Sequence, residues 1–71
     1  MRYAIVIEQG DDSYGAYVPD LPGCVAAATT REEVVKLIHE AIEEHIHVLR
    51  EEGMPVPVPH STAEYVEVEA A

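Results

Sequence analysis

Val18-Pro19-Asp20-Leu21-Pro22-Gly23-Cys24, followed six residues later by Thr30-Arg31-Glu32-Glu33, decides how the chain must fold. A proline presets one turn torsion and a glycine accepts positive φ, so Asp20-Leu21-Pro22-Gly23 reads as a tight connection. Pro19 has no amide to give to a ladder and ends the strand before it. Thr30 with Glu33 fits a capping box: the threonine hydroxyl accepts from the amide of Glu33, and the Glu33 carboxylate reaches back to the amide of Thr30. Acidic residues in the first turn also suit the helix dipole. Strand, tight turn, short strand and capped helix must therefore follow one another here.

Working outward, residues 14–18 before this stretch are rich in strand formers. Gly10-Asp11-Asp12-Ser13 is a cluster of turn formers joining them to an earlier antiparallel strand. In that first strand, residues 2–9, Tyr3, Ile5 and Ile7 alternate with Ala4, Val6 and Glu8. Both sets are largely apolar, so both faces of this strand are expected to be covered. Residues 24–28 form a third strand of small side chains, against which a helix can pack closely. After Thr30 the positions Val34, Leu37, Ile38, Ala41, Ile42, His45, Val48 and Leu49 keep the three-and-four spacing of one buried helical stripe. Gly53 suits the left-handed residue after the helix, Pro55 blocks continuation, and Met54 is placed to touch Leu49. Pro55-Val56-Pro57-Val58-Pro59 runs extended. Residues 64–69 alternate once more, with Val66 and Val68 on one face, and read as an edge strand. The expected architecture is one α+β domain over residues 1–71: β-β-β-α-β, an antiparallel sheet with one long helix packed on one face.

A chain of 71 residues buries only about 60% of the surface that its unfolded form exposes. Cys24 is the single cysteine, so no disulfide framework helps, and association with another chain is the remaining support. A homodimer or higher homo-oligomer is expected. The lone thiol fits a reducing compartment. The opening residues lack the length and cleavage site of a signal sequence, and no stretch approaches the roughly 20 apolar residues of a membrane helix. A cytoplasmic protein without membrane contact is expected.

Four Lys plus Arg against fourteen Asp plus Glu give a formal net charge of -10. Such a surface repels phosphate backbones, so direct nucleic-acid binding is disfavoured. It favours fast, salt-dependent association with a basic partner.

Little in the chain suggests catalysis. His39, Glu43 and His47 form one stripe at helical spacing and read as a solvated face. The run from His39 to His45 spaces its histidines by six residues, not the four of a zinc-protease helix. His45, within the apolar stripe, reads as a hydrogen-bonded packing residue with the capacity to sense pH. Cys24 has no basic neighbour in sequence to stabilise a thiolate. Ser13, Ser61 and Thr62 lie outside any nucleophile elbow. The carboxylates show no convergent spacing. No catalytic residue, no metal and no cofactor is expected.

Tyr17-Val18-Pro19-Asp20-Leu21-Pro22-Gly23-Cys24, the capped helix start Thr30-Arg31-Glu32-Glu33, the stripe Leu37, Ala41 and Ile42, Gly53, Pro55-Val56-Pro57 and the opening Tyr3-Ala4-Ile5-Val6 together resemble the HicB family of antitoxins. The resemblance covers roughly residues 2–60. It implies a partial ribonuclease H-like fold without that enzyme's catalytic acids. It also implies a partner, a small basic HicA-like toxin that cuts messenger RNA and is neutralised when its active histidine is covered. Full-length members add a C-terminal DNA-binding domain. This chain stops at Ala71, so operator binding is not carried over.

From charge and resemblance together, the expected toxin-binding residues are Tyr17, Asp20, Leu21, Pro22, Gly23 and Cys24 in the central turn, with Asp11 and Asp12 in the neighbouring one. Two other readings stay open at this point. One is a solitary HicB-like oligomer binding another protein or a small ligand. The other is a degenerate nuclease, suggested only by fold analogy.

Overall fold

A computed structural model describes residues 1–70. Three strands, β1 (Val6–Gln9), β2 (Tyr14–Tyr17) and β3 (Val25–Ala28), precede one helix, α1 (Arg31–Glu51). The strands form an antiparallel sheet in the order β1-β2-β3. The α+β class and the antiparallel sheet with one long helix on one face are as the sequence leads one to expect. Among the described residues no helix is long and apolar enough to cross a membrane.

The register fixes which side chains share a face. Val6 pairs with Tyr17 and Tyr17 with Val25, while Ile7 pairs with Ala16 and Ala16 with Ala26. Successive residues of a strand point to opposite sides. One side therefore carries Ile7, Ala16 and Ala26, and the other carries Val6, Tyr17 and Val25. Helix α1 lies over β3 and β2 on the first side, where Ala26 and Ala28 let it approach. Val34 and Ile38 enter the core with Ala16, Val18, Leu21 and Cys24. Leu37, Ala41, Ile42, His45 and Leu49 are half-buried, whereas Val48 is exposed.

Both helix ends are closed by the residues that signalled them. Thr30 Oγ1 accepts from the amide of Glu33 at 3.1 Å. The reciprocal bond from the Glu33 side chain is absent among the described residues, so half of the capping box forms. Gly53 has φ 68°. Its amide donates to the carbonyl of Arg50 at 3.1 Å, and the amide of Met54 to that of Leu49 at 2.8 Å, the paired bonds of a Schellman stop. Thr30→Ala leaves one first-turn amide without its acceptor. It is expected to lower stability by about 1 kcal/mol in urea denaturation, with Thr30→Ser close to neutral.

Two expectations are corrected. First, the side of the sheet away from the helix is not covered along its whole width, because a single helix can shield one side of a sheet only: β1 is half-buried on both faces at Val6 and Ile7, but the cover does not extend to β3. Val6 is half-buried and Val25 is 64% exposed on the other side. Second, residues 64–69 form no strand: the last β of the β-β-β-α-β order is missing among the described residues. Alternation makes a segment fit to pair but does not supply an edge to pair with. The chain after α1 is tied near the start of β1, where the Tyr3 hydroxyl donates to the carbonyl of Pro57. Beyond that point Tyr65, Val66 and Val68 are 100%, 77% and 78% exposed.

Candidate protein-binding face

The connection from β2 to β3 is built of two overlapping turns. The amide of Leu21 donates to the carbonyl of Val18 at 3.1 Å, and that of Cys24 to the carbonyl of Leu21 at 3.0 Å. Pro19 and Pro22 each take the second position of their turn, where φ near -65° is required. Gly23, third in the second turn, has φ 85°, which a type II turn demands and a side chain resists. The double turn is rigid and folds its middle inward. Leu21 is fully buried, Cys24 and Asp20 nearly so, and Tyr17, Pro22 and Gly23 are exposed.

Asp20 is buried but not unpaired. Its Oδ2 accepts from the amides of His60 and Ser61, both at 2.9 Å, and its Oδ1 from the Ser61 hydroxyl at 2.7 Å. His60 Nε2 stands 3.2 Å from Oδ1. The Ser61 hydroxyl and amide, with further help from His60, hold the carboxyl down at about 2, against desolvation that would raise it. Asp20 therefore clasps a segment forty residues away to the double turn. For Cys24, burial pushes the thiol above its usual value, as suits a packing residue rather than a nucleophile.

These positions revise the set of expected contacts. Asp20, Leu21 and Cys24 are spent inside the fold: they shape and anchor the double turn and present little to a partner. Tyr17, Pro22 and Gly23 remain on the surface beside Val25. Asp11 and Asp12 are exposed in the other turn, at the far end of the β1–β2 hairpin. That hairpin is four residues long, or about 13 Å at roughly 3.3 Å per residue. The two groups thus do not converge on one point but bracket one surface, the uncovered face of the sheet. Val6, Tyr17 and Val25 form one row of it, and Glu8, Gly15 and Ala27 the next.

Sequence reasoning missed Val25 and Ala27 as surface residues. The signal was present: one helix cannot cover both faces of a sheet whose alternate residues are apolar on each side. His60 and Ser61 were missed for want of any local signal.

The histidines do not converge. His39 and His47 are exposed, and His47 Nε2 lies 2.8 Å from Glu51 Oε1 one turn on. Among the described residues no group of three or more His, Cys, Asp or Glu side chains is placed to hold a metal ion.

Comparison with known proteins shows the family. A family model described as "HicB_like antitoxin of bacterial toxin-antitoxin system" matches residues 3–70. An uncharacterised 14.9 kDa protein of Haemophilus phage HP1 is 36% identical over 66 residues, 93% of this chain and 50% of that protein. Antitoxin HicB 2 of Photorhabdus laumondii is 28% identical over 72 residues, the whole of this chain and 52% of that protein. The chain thus spans about half the length of these two relatives. Among solved structures, a chain of a HicA3 and HicB3 toxin-antitoxin complex matches with a TM-score of 0.72 and 35% identity, over 84% of this chain and 70% of that one.

Proposed function

Because this chain belongs to the HicB-like antitoxins of bacterial toxin-antitoxin systems, we propose that it neutralises a small basic HicA-type ribonuclease by laying the open face of its sheet over the toxin's active site. The observation that carries this reading is the uncovered apolar face itself, with Val25 64% exposed on the edge strand β3 beside Tyr17 of the central strand. Exposed apolar surface set within a rigid, polar-rimmed frame is the usual mark of a protein-binding site.

The chemistry of the rim selects the partner. Glu8, Asp11 and Asp12 stand at one end of the face in a chain of net charge -10. An RNA-cleaving toxin needs cations to hold its substrate, and such a surface is attracted to carboxylates at long range. Tyr17 supplies an aromatic anchor, and the exposed tip Pro22-Gly23 a stiff edge that loses little freedom on binding. The action is occlusion: no bond is made or broken, and RNA is excluded by position. The same charge that attracts the toxin also keeps this chain off RNA.

Titration of the chain against a HicA-type toxin, with RNA cleavage as the second readout, tests this. Affinity is expected to fall as salt rises. Val25→Arg, which sets a cation facing a cationic partner, is expected to weaken binding at least about tenfold, or about 1.4 kcal/mol, and to restore cleavage. Binding that is insensitive to Val25→Arg would move the interface elsewhere. Absence of binding at low salt to HicA-type toxins would end the proposal.

A further inference from the structure

On the helix side of the sheet a second apolar surface stands open. Because α1 lies over β3 and β2, β1 is left at the margin, and a groove runs between it and the helix. Tyr3, Ile5 and Ile7 form one wall; Val35, Ile42 and Ile46 form the other. Among the described residues the outer edge of β1 has no strand beside it.

The same chain carries a segment with the complementary features. Residues 62–70 are exposed after the clasp at Ser61, and of them only Tyr65 borders the chain's own groove, while Val66 and Val68 do not line it. Val66 and Val68 alternate with Glu67 and Glu69, so a strand here would present its valines on one side and its charges on the other. The protein is drawn out: its radius of gyration is 14.1 Å, against about 11 Å for a compact chain of this length. Charge agrees as well. Of only four Lys and Arg in the chain, Arg31 borders the groove and Arg2 stands at the start of the β1 edge. Both suit an arm bearing Glu64, Glu67 and Glu69.

We propose that two copies of this chain exchange these arms, residues 64–70 of each adding a strand to the free β1 edge of the other and setting Val66 and Val68 into its β1–α1 groove. Each copy offers one arm and one groove, so a two-fold arrangement satisfies both and closes. The exchange removes two exposed edges at once. It uses the helix side of the sheet and leaves the Val6, Tyr17 and Val25 face free, so it does not depend on the toxin-binding reading.

Sedimentation velocity at micromolar concentration, without any toxin, is the first test. The unaltered chain is expected to sediment as a dimer and Val66→Asp/Val68→Asp as a monomer that keeps the helical circular dichroism signal, because both valines are exposed and lie outside α1. The second test mixes equal amounts of Val66→Cys and Ile5→Cys chains under oxidising conditions. A disulfide linking the two different chains is expected, and Cys24, being buried, does not compete. A monomeric unaltered chain, a dimer indifferent to Val66→Asp/Val68→Asp, or the absence of a disulfide between the Val66→Cys and Ile5→Cys chains would each overturn the exchange.

Discussion

Replacing Leu21 by alanine is expected to remove about 2–5 kcal/mol of stability, a large share of what a domain of this size possesses. At roughly 0.05–0.15 kcal/mol per residue, a chain of this length holds only about 4–11 kcal/mol in all. Leu21 belongs to a turn by sequence but is fully buried. It packs with Val18, Cys24, Val34 and Ile38, where its removal leaves a cavity walled by both the sheet and the helix. The turn cannot collapse to fill that space, because its hydrogen bonds at Val18 and Cys24 and the two prolines fix its path. Thermal denaturation should show a fall in Tm of roughly 10–30 °C. Leu21→Met, similar in volume, should cost under about 1.5 kcal/mol. A loss below 1 kcal/mol for Leu21→Ala would mean that the turn does not contribute to the core.

The Asp20 clasp gives the second large effect, read locally instead of globally. In the folded chain the carboxyl titrates at about 2, below the ordinary 3.8. A depressed carboxyl contributes stability above its unfolded pKa and loses that contribution as pH falls through its folded one. The clasp should therefore be complete above about pH 4 and open as the pH drops towards 2. In hydrogen exchange near neutrality, the amides of His60 and Ser61 should be protected in the unaltered chain and exposed in Asp20→Ala, while the middle of α1 stays unchanged. Asp20→Asn should give an intermediate result, since an amide offers one acceptor oxygen where the carboxylate offers two. An Asp20 carboxyl carbon that titrates near 3.8 would show that the clasp is not formed in solution. Releasing the clasp also frees the root of the C-terminal arm, so Asp20→Ala should loosen any arm-exchanged dimer without altering the sheet face.

The local structure of this protein is legible residue by residue. Thr30 announces the helix start, and Gly53 with Pro55 its end. Pro22-Gly23 marks a turn, and the spacing of Val34, Ile38, Ala41 and Ile42 marks the buried stripe. These features need only neighbours in the chain, so one sequence suffices to find them. The candidate site was legible only in part. Tyr17 and the tip Pro22-Gly23 do lie on the surface. Asp20, Leu21 and Cys24, close by in sequence and similarly promising, turn inward, Leu21 and Cys24 into the core and Asp20 onto the amides of His60 and Ser61.

By itself, then, the sequence determined the order of the first three strands, their turns and the helix, the residue that closes each helix end and the acidic character of the surface. Each of these follows from torsional preference, hydrogen bonding within a few residues, or summed charge. Only the tertiary structure decided that one face of the sheet stays bare, that Asp20 holds Ser61 across forty residues, and that the valines of the last segment find no partner in their own chain. Those outcomes depend on which distant groups come within a few ångströms. The alternation of apolar residues does not say which distant surface lies opposite them.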